Sequence, residues 1–243
     1  MRHFRRGVRV ELKPDRSPVT VADKESEAAV LAILASEHPT HAVLTEESGA
    51  HAGSTTQRWI VDPLDGTRGF SRGGTFWGPL VAFEEEGRVT AGAMALPALN
   101  EMYWAERGGG SWFAPLDGSA APQQVHVSGV TEWREATLSL GELTRFLSGP
   151  FAIPVSELSR TAASTRSFGD LAACAMLITG RAECWLESGV QIWDLAPLQI
   201  LVEEAGGIFT DLRGAPTITS GNAVGTNAKL GAYVRQVLSN TPA

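Results

Sequence analysis

Residues 59–67 read Trp59-Ile60-Val61-Asp62-Pro63-Leu64-Asp65-Gly66-Thr67. A short apolar strand, 59–61, is expected to stop abruptly at Asp62. Pro63 presets a turn, and Gly66 lets the backbone approach a ligand closely. Two carboxylates three residues apart in such a turn can face one point in space, where their repulsion is costly without a cation between them. Ligation by carboxylates and a backbone carbonyl selects a hard ion, Mg²⁺ before Zn²⁺. The plain alternative is a surface turn whose aspartates cap backbone groups. On this stretch alone both readings stand.

Upstream, Thr20 and Asp23 open a helix whose apolar face is Ala28, Leu31, Ile33 and Leu34, running to about His38 before Pro39. Asp23 at that position also reads as a helix cap. A strand at 42–44 delivers Glu46 and Glu47. Downstream, strands are expected at 76–83 and 89–96, parted by the charged turn Glu84-Glu85-Glu86-Gly87, and then at 101–105 and 111–113.

The texture changes beyond Pro115. Strands are expected at 124–128, 136–140, 182–186, 208–211 and 223–225, with another ending near 166–168. Helices are expected at 170–179 and 229–238. Leu195, Leu198, Val202 and Ala205 mark an amphipathic helix opened by Trp193-Asp194, where Asp194 also suits a plain N-cap, and closed by Gly206-Gly207. Mixed helices and strands with many antiparallel neighbours define an α+β or layered class. The 243 residues form a single domain with two halves, 1–115 and 116–243.

A net charge of −7 excludes a sequence-independent nucleic-acid binder. Cys174 and Cys184 are too few for a disulfide framework and read as reduced core thiols. The basic start Met-Arg-His-Phe-Arg-Arg is followed by no apolar stretch, and no run approaches the ~20 residues of a membrane span. The expectation is a cytoplasmic protein.

Together, residues 19–27, Glu46-Glu47-Ser48, 59–70 and 193–207 resemble, in order and spacing, the inositol monophosphatase superfamily of metal-dependent phosphatases. The resemblance implies a layered αβαβα sugar-phosphatase fold, a homodimer, and two or three Mg²⁺ per site. It implies Glu46, Asp62, the Leu64 carbonyl, Asp65 and Asp194 as metal ligands, with Asp62 bridging two metals. It further implies that the amides of Gly66 and Thr67 hold the phosphate, and that the Thr67 hydroxyl, oriented by Asp23, positions and deprotonates the attacking water. Glu46 belongs to the same catalytic set. Where the family often has Lys-Asn after the threonine, this chain has Arg68-Gly69, which alters the rim and not the ligands.

The resemblance places the leaving-group side at Ser167-Phe168-Gly169-Asp170 and Glu187, with Asp194 adjoining. Asp170 and Glu187 together suit a cationic leaving group. Members resembling histidinol-phosphate phosphatases share the Gly-Asp pattern, so L-histidinol phosphate leads and inositol 1-phosphate follows. The alternative for Asp170 is a helix N-cap. Two other classes are alternatives. One is a same-fold regulator binding a protein or RNA complex. The other is a serine hydrolase through Gly69-Phe70-Ser71-Arg72-Gly73, which lacks both the preceding strand and the following helix of a nucleophile elbow.

Overall fold

The computed structural model describes residues 1–240. A small antiparallel hairpin, β1 (Glu11–Leu12) and β2 (Pro18–Val19), leads into helix α1 (Val21–Glu37). Thr20 caps α1, its Oγ1 accepting the Ala22 N–H at 3.1 Å.

The first large sheet comprises β3 (Ala42–Thr45), β4 (Gly49–His51), β5 (Gln57–Asp65), β6 (Gly78–Glu85), β7 (Arg88–Leu96), β8 (Glu101–Glu106), β9 (Gly110–Pro115) and β10 (Gln123–Val125). Their order is β10-β9-β8-β7-β6-β5-β3-β4, antiparallel throughout except for β3 beside β5. A short helix, α2 (Thr67–Ser71), follows β5. The second sheet holds β11 (Thr137–Leu140), β12 (Ser164–Arg166), β13 (Cys184–Ser188), β14 (Gly207–Thr210) and β15 (Asn222–Asn227) in the order β12-β11-β13-β15-β14. The second half also carries helices α3 (Leu143–Ser148), α4 (Ala152–Thr161), α5 (Asp170–Ile178), α6 (Ile192–Glu204) and α7 (Gly231–Ser239).

Side-chain alternation decides the layering. Along β6, Leu80 and Ala82 point inward while their neighbours are less buried. They join Ile60, Met94 and Tyr103 in one cluster with Leu171 and Leu177 of α5, Leu198 and Leu201 of α6, and Trp185 and Phe209 of the second sheet. Helices α5 and α6 therefore fill the space between the sheets. On the outer face of the first sheet, Leu34 of α1 packs on Val43 and Val61. Outside the second sheet, Phe146, Val155, Leu158 and Val234 of α3, α4 and α7 pack on Leu138, Leu140 and Leu186. The result is the five-layer αβαβα arrangement. Truncating a buried leucine or isoleucine here to alanine costs roughly 2–5 kcal/mol.

Three expectations are corrected. The strand at 59–61 does not stop at Asp62 but continues to Asp65 through a bulge. The first sheet takes β10 from beyond Pro115, so the change of texture there is not the edge of the sheet. Helices α3 and α4 were not expected at all.

Candidate active site and metal centre

The bulge in β5 builds one wall of the site. Asp62 pairs with Leu80 and Asp65 with Gly78, so β5 carries one residue more than β6 between the same rungs. Pro63 cannot donate to the ladder, and Asp62 Oδ1 accepts the Leu64 N–H at 2.8 Å instead. Both carboxylates thus stay on the buried side. Gly66 follows with φ +80°, and a Cβ there would lie 2.5 Å from the Phe76 carbonyl oxygen. Only glycine makes this corner and opens α2 directly beside the aspartates.

Thr67, first in α2, places its hydroxyl 2.8 Å from Asp23 Oδ1 and 3.0 Å from the Leu64 carbonyl oxygen. The other oxygen of Asp23 accepts the Thr20 N–H at 2.8 Å and the Thr20 hydroxyl at 2.6 Å. Asp23 is therefore both the capping partner of α1 and the anchor of Thr67. The two readings of that residue are one arrangement.

Asp194 arrives from the start of α6, where Gln191 holds the N-cap position and donates its N–H to Asp194 Oδ2 at 2.6 Å. Asp194 is thus the third residue of the helix and not its cap. Carboxylate oxygens of Asp62, Asp65 and Asp194 lie within 4.8 Å of one another. Burial, and then the neighbouring carboxylates, pushes Asp62 and Asp65 well above the usual carboxylate range. Burial first of all pushes Asp194 up to about 6. Such a trio needs protons or a multivalent cation to offset its charge. Its all-oxygen donors fit a hard divalent ion.

Glu46 lines the same cavity, of about 510 Å³, but lies outside this trio. Its Oε1 accepts from Lys13 Nζ at 2.8 Å, and Glu47 Oε1 accepts from the same ammonium at 2.7 Å. Glu27 sets the turn that delivers both: its carboxylate accepts the Glu47 N–H at 3.1 Å and the Thr45 hydroxyl. The structure so gathers three of the four acidic side chains and holds the fourth at the rim by a lysine that sequence reasoning did not single out.

An adjoining cavity of about 400 Å³ reaches Gly169, Asp170 and Glu187. Glu187 is a junction: Oε2 accepts from the Asp170 N–H at 3.0 Å and Trp185 Nε1 at 3.2 Å, and Oε1 from the Glu142 and Ser188 N–H groups, each at 3.2 Å. Burial holds its pKa above the ordinary value against the pull of those donors. Gly141 is required here, because a Cβ would fall 1.6 Å from Glu187 Oε1. Asp170 has φ +54°, in the left-handed region that Asp tolerates. Its carboxylate accepts no hydrogen bond among the described residues, and the N-cap position belongs to Gly169. The capping alternative for Asp170 is thereby corrected. Burial, then the Glu187 charge, pushes it up to about 8. The Leu171 N–H donates to Asp65 Oδ2 at 3.1 Å and ties this region to the metal side.

Arg145, on the unexpected α3, lines both cavities and lies across Gly189, where a Cβ would meet its Cζ at 2.2 Å. Ser71 ends α2 with its hydroxyl on the Arg68 carbonyl at 3.0 Å and no histidine bonded to it, so the serine-hydrolase geometry is absent there. Cys174 and Cys184 are buried free thiols. No helix among the described residues is long and apolar enough to cross a membrane.

A layered αβαβα fold with a buried acidic trio beside an Asp–Thr pair defines a class of metal-dependent phosphatase. The inositol monophosphatase family model matches residues 1–240, and the chain belongs to that family. It is a phosphatase, a phosphoric monoester hydrolase acting on small phosphorylated substrates. A histidinol-phosphatase from Mycobacterium tuberculosis is 39% identical over 92% of this chain and 85% of its own length. An inositol-1-monophosphatase from Mesorhizobium japonicum is 32% identical over 89% of this chain and 80% of its own length. Among solved structures, the extragenic suppressor protein suhB from Bartonella henselae superposes with a TM-score of 0.87 at 28% identity, covering 96% of this chain and 89% of that one.

Proposed function

We propose that this chain hydrolyses L-histidinol phosphate to L-histidinol and phosphate, with two or three Mg²⁺ held by Glu46, Asp62, the Leu64 carbonyl, Asp65 and Asp194. The observation that carries the substrate is Asp170. It is a carboxylate without a protein partner, lining the cavity that adjoins the acidic trio. A protonated amine or imidazolium there makes a charge-assisted hydrogen bond that a neutral polyol cannot. Glu187, with four protein donors, acts mainly to hold the Gly141 and Gly169 loops around that leaving group. The name of the Mycobacterium tuberculosis relative supports the same reading.

When bound, Mg²⁺ supplies Lewis-acid polarisation of the phosphoryl oxygens and a lowered pKa for water. The rest falls to the chain. Asp23 accepts the Thr67 proton, which leaves the lone pairs of Thr67 Oγ1 free to orient the attacking water and draw on its proton. The Gly66 and Thr67 amides, at the opening of α2, bind the phosphate oxygens. Asp170 binds the cationic end of the leaving alcohol, so binding energy away from the phosphorus positions the ester.

The test is phosphate release from L-histidinol phosphate and inositol 1-phosphate at equal Mg²⁺. The expected result is a higher kcat/KM for histidinol phosphate. A preference for inositol 1-phosphate overturns the substrate assignment and leaves the phosphatase in place.

A further inference from the structure

A separate cavity of about 380 Å³ is lined by none of the acidic-cluster residues. Three arginines from different segments meet in it: Arg58 near the start of β5, Arg88 at the start of β7 and Arg107 just beyond β8. Two of them carry one carboxylate each. Arg58 Nη2 lies 2.9 Å from Glu84 Oε2, and Arg107 Nη2 lies 3.0 Å from Glu203 Oε2. Arg107 also donates from Nη2 and Nε to the Val89 carbonyl, at 2.8 and 3.2 Å. Arg88 has no carboxylate within ion-pair distance among the described residues. Three guanidinium groups against two carboxylates leave this cavity positive, on a chain whose net charge is −7.

A second observation points the same way. The Nε of Arg58 is buried and finds no acceptor among the described residues. A buried guanidinium N–H without an acceptor leaves the Arg58 fork under-satisfied, and the side chain, 34% exposed, still presents part of itself to the cavity. Structural ion pairing explains Glu84 and Glu203, which tie β6 and α6 to the arginines. It leaves Arg88, exposed at the edge of the cavity, as a cation without a carboxylate among the described residues, and Arg58 Nε without an acceptor. Guanidinium forks match the oxygens of a phosphate group in spacing and charge, better than they match a monatomic ion.

We infer that this cavity binds a phosphate-bearing small anion, at a site distinct from the acidic centre. Free phosphate and a phosphate monoester share the chemistry that these arginines recognise. The inference does not depend on the proposed substrate, because it uses no residue of the catalytic site.

The experiment is a residue-resolved NMR titration of the full chain with Mg²⁺ present. One arm uses inorganic phosphate. Another uses propylphosphonate, an uncleavable stand-in for a monoester. A third uses chloride at matched ionic strength. The expected result is saturable shifts at the Gly87, Arg88 and Thr219 amides at millimolar phosphate or phosphonate and none with chloride. These should follow a different binding curve from the shifts at Gly66 and Thr67. Arg88→Gln should weaken this site by roughly tenfold or more, the effect of losing a charge-assisted contact, with Tm, turnover and the Gly66 shifts unchanged. The tighter of the two oxyanions identifies the natural source as free phosphate or as a monoester. Shifts confined to Gly66 and Thr67, shifts matched by chloride, or an Arg88→Gln protein that binds as tightly as the parent would each overturn the inference.

Discussion

The corner between β5 and α2 and the entrance to α5 lie side by side, yet they treat charge in opposite ways. At the corner, Asp23 is bonded to Thr20 and Thr67, and Thr67 reaches back to the Leu64 carbonyl. Only the acidic trio keeps oxygens facing one another, at a spacing that suits a small cation. At the entrance, Glu187 is engaged by three backbone N–H groups and the Trp185 indole, while the Asp170 carboxylate has no partner among the described residues. The first region is wired for one fixed piece of chemistry on a phosphate. The second is a rigid frame around one unpartnered carboxyl group, and a cation that draws off its proton is the ligand it selects.

The contrast breaks first at Asp62. Asp62→Asn should lower phosphate release by several orders of magnitude on every ester, because it removes one of the carboxylates that would hold Mg²⁺ and so the chemistry the ion would supply. The protein should still fold, since a neutral amide relieves the repulsion within the trio. Turnover near the parent level, alongside an intact melting curve, would show that the corner is not the metal centre. Next, Thr67→Ala and Asp23→Asn should each reduce kcat by roughly 10²–10⁴-fold. The double variant should be little worse than either single one, as for groups acting as a unit. Losses that simply multiply would dissolve the pair.

The second region should show smaller and more selective effects. Asp170→Asn is expected to cost roughly ten- to a hundredfold in kcat/KM on histidinol phosphate, the worth of one charge-assisted bond. Glycerol phosphate should be nearly indifferent. Equal losses on the two esters would make Asp170 a part of the frame. The smallest effect concerns stability. Asp170, ordinarily at 3.8, is pushed up to about 8, and Asp194 from 3.8 up to about 6, both first by burial. Between those values the folded chain binds more protons than the unfolded one, so stability falls as pH rises. The Tm of the metal-free protein should therefore decline from about pH 4 to about pH 8. Asp170→Asn should flatten the upper part of that decline, and Mg²⁺ should oppose the lower part. A Tm that climbs through this range would contradict the protonation assigned to both groups.

What was legible in the sequence follows from the range of the interactions. Asp62, Asp65, Gly66 and Thr67 lie within six residues, so a strand, a proline and a glycine nearly determine their geometry. Even there the bulge was read as a turn, because which rungs of β6 lie opposite is not local information. Asp23 and Asp194 were ambiguous between capping and chemistry for a physical reason: each is the third residue of its helix and accepts the N–H of the capping residue, Thr20 or Gln191, while lying beside the site. Glu46 stood out in the sequence, but its pairing with Lys13 spans 33 residues and could not be read there. Glu187 gathers donors from three segments that meet only in the folded chain. Helix α3 is six residues long, too short for a period to show, and in α4 the breakers Gly149-Pro150 and Pro154 masked the three-residue step of Val155 and Leu158. Arg145 was lost with them.

The acidic trio is the centre of this account, and proton-coupled metal binding tests it most directly. Mg²⁺ would be titrated calorimetrically into the full chain near neutral pH, in buffers of different ionisation enthalpy, with Asp62→Asn in parallel. Carboxylates held above their usual range by burial must give up protons to bind a cation. The predicted result is Mg²⁺ binding with net proton release, lost or sharply weakened in Asp62→Asn. Binding without proton release, or equal binding to both proteins, would contradict it.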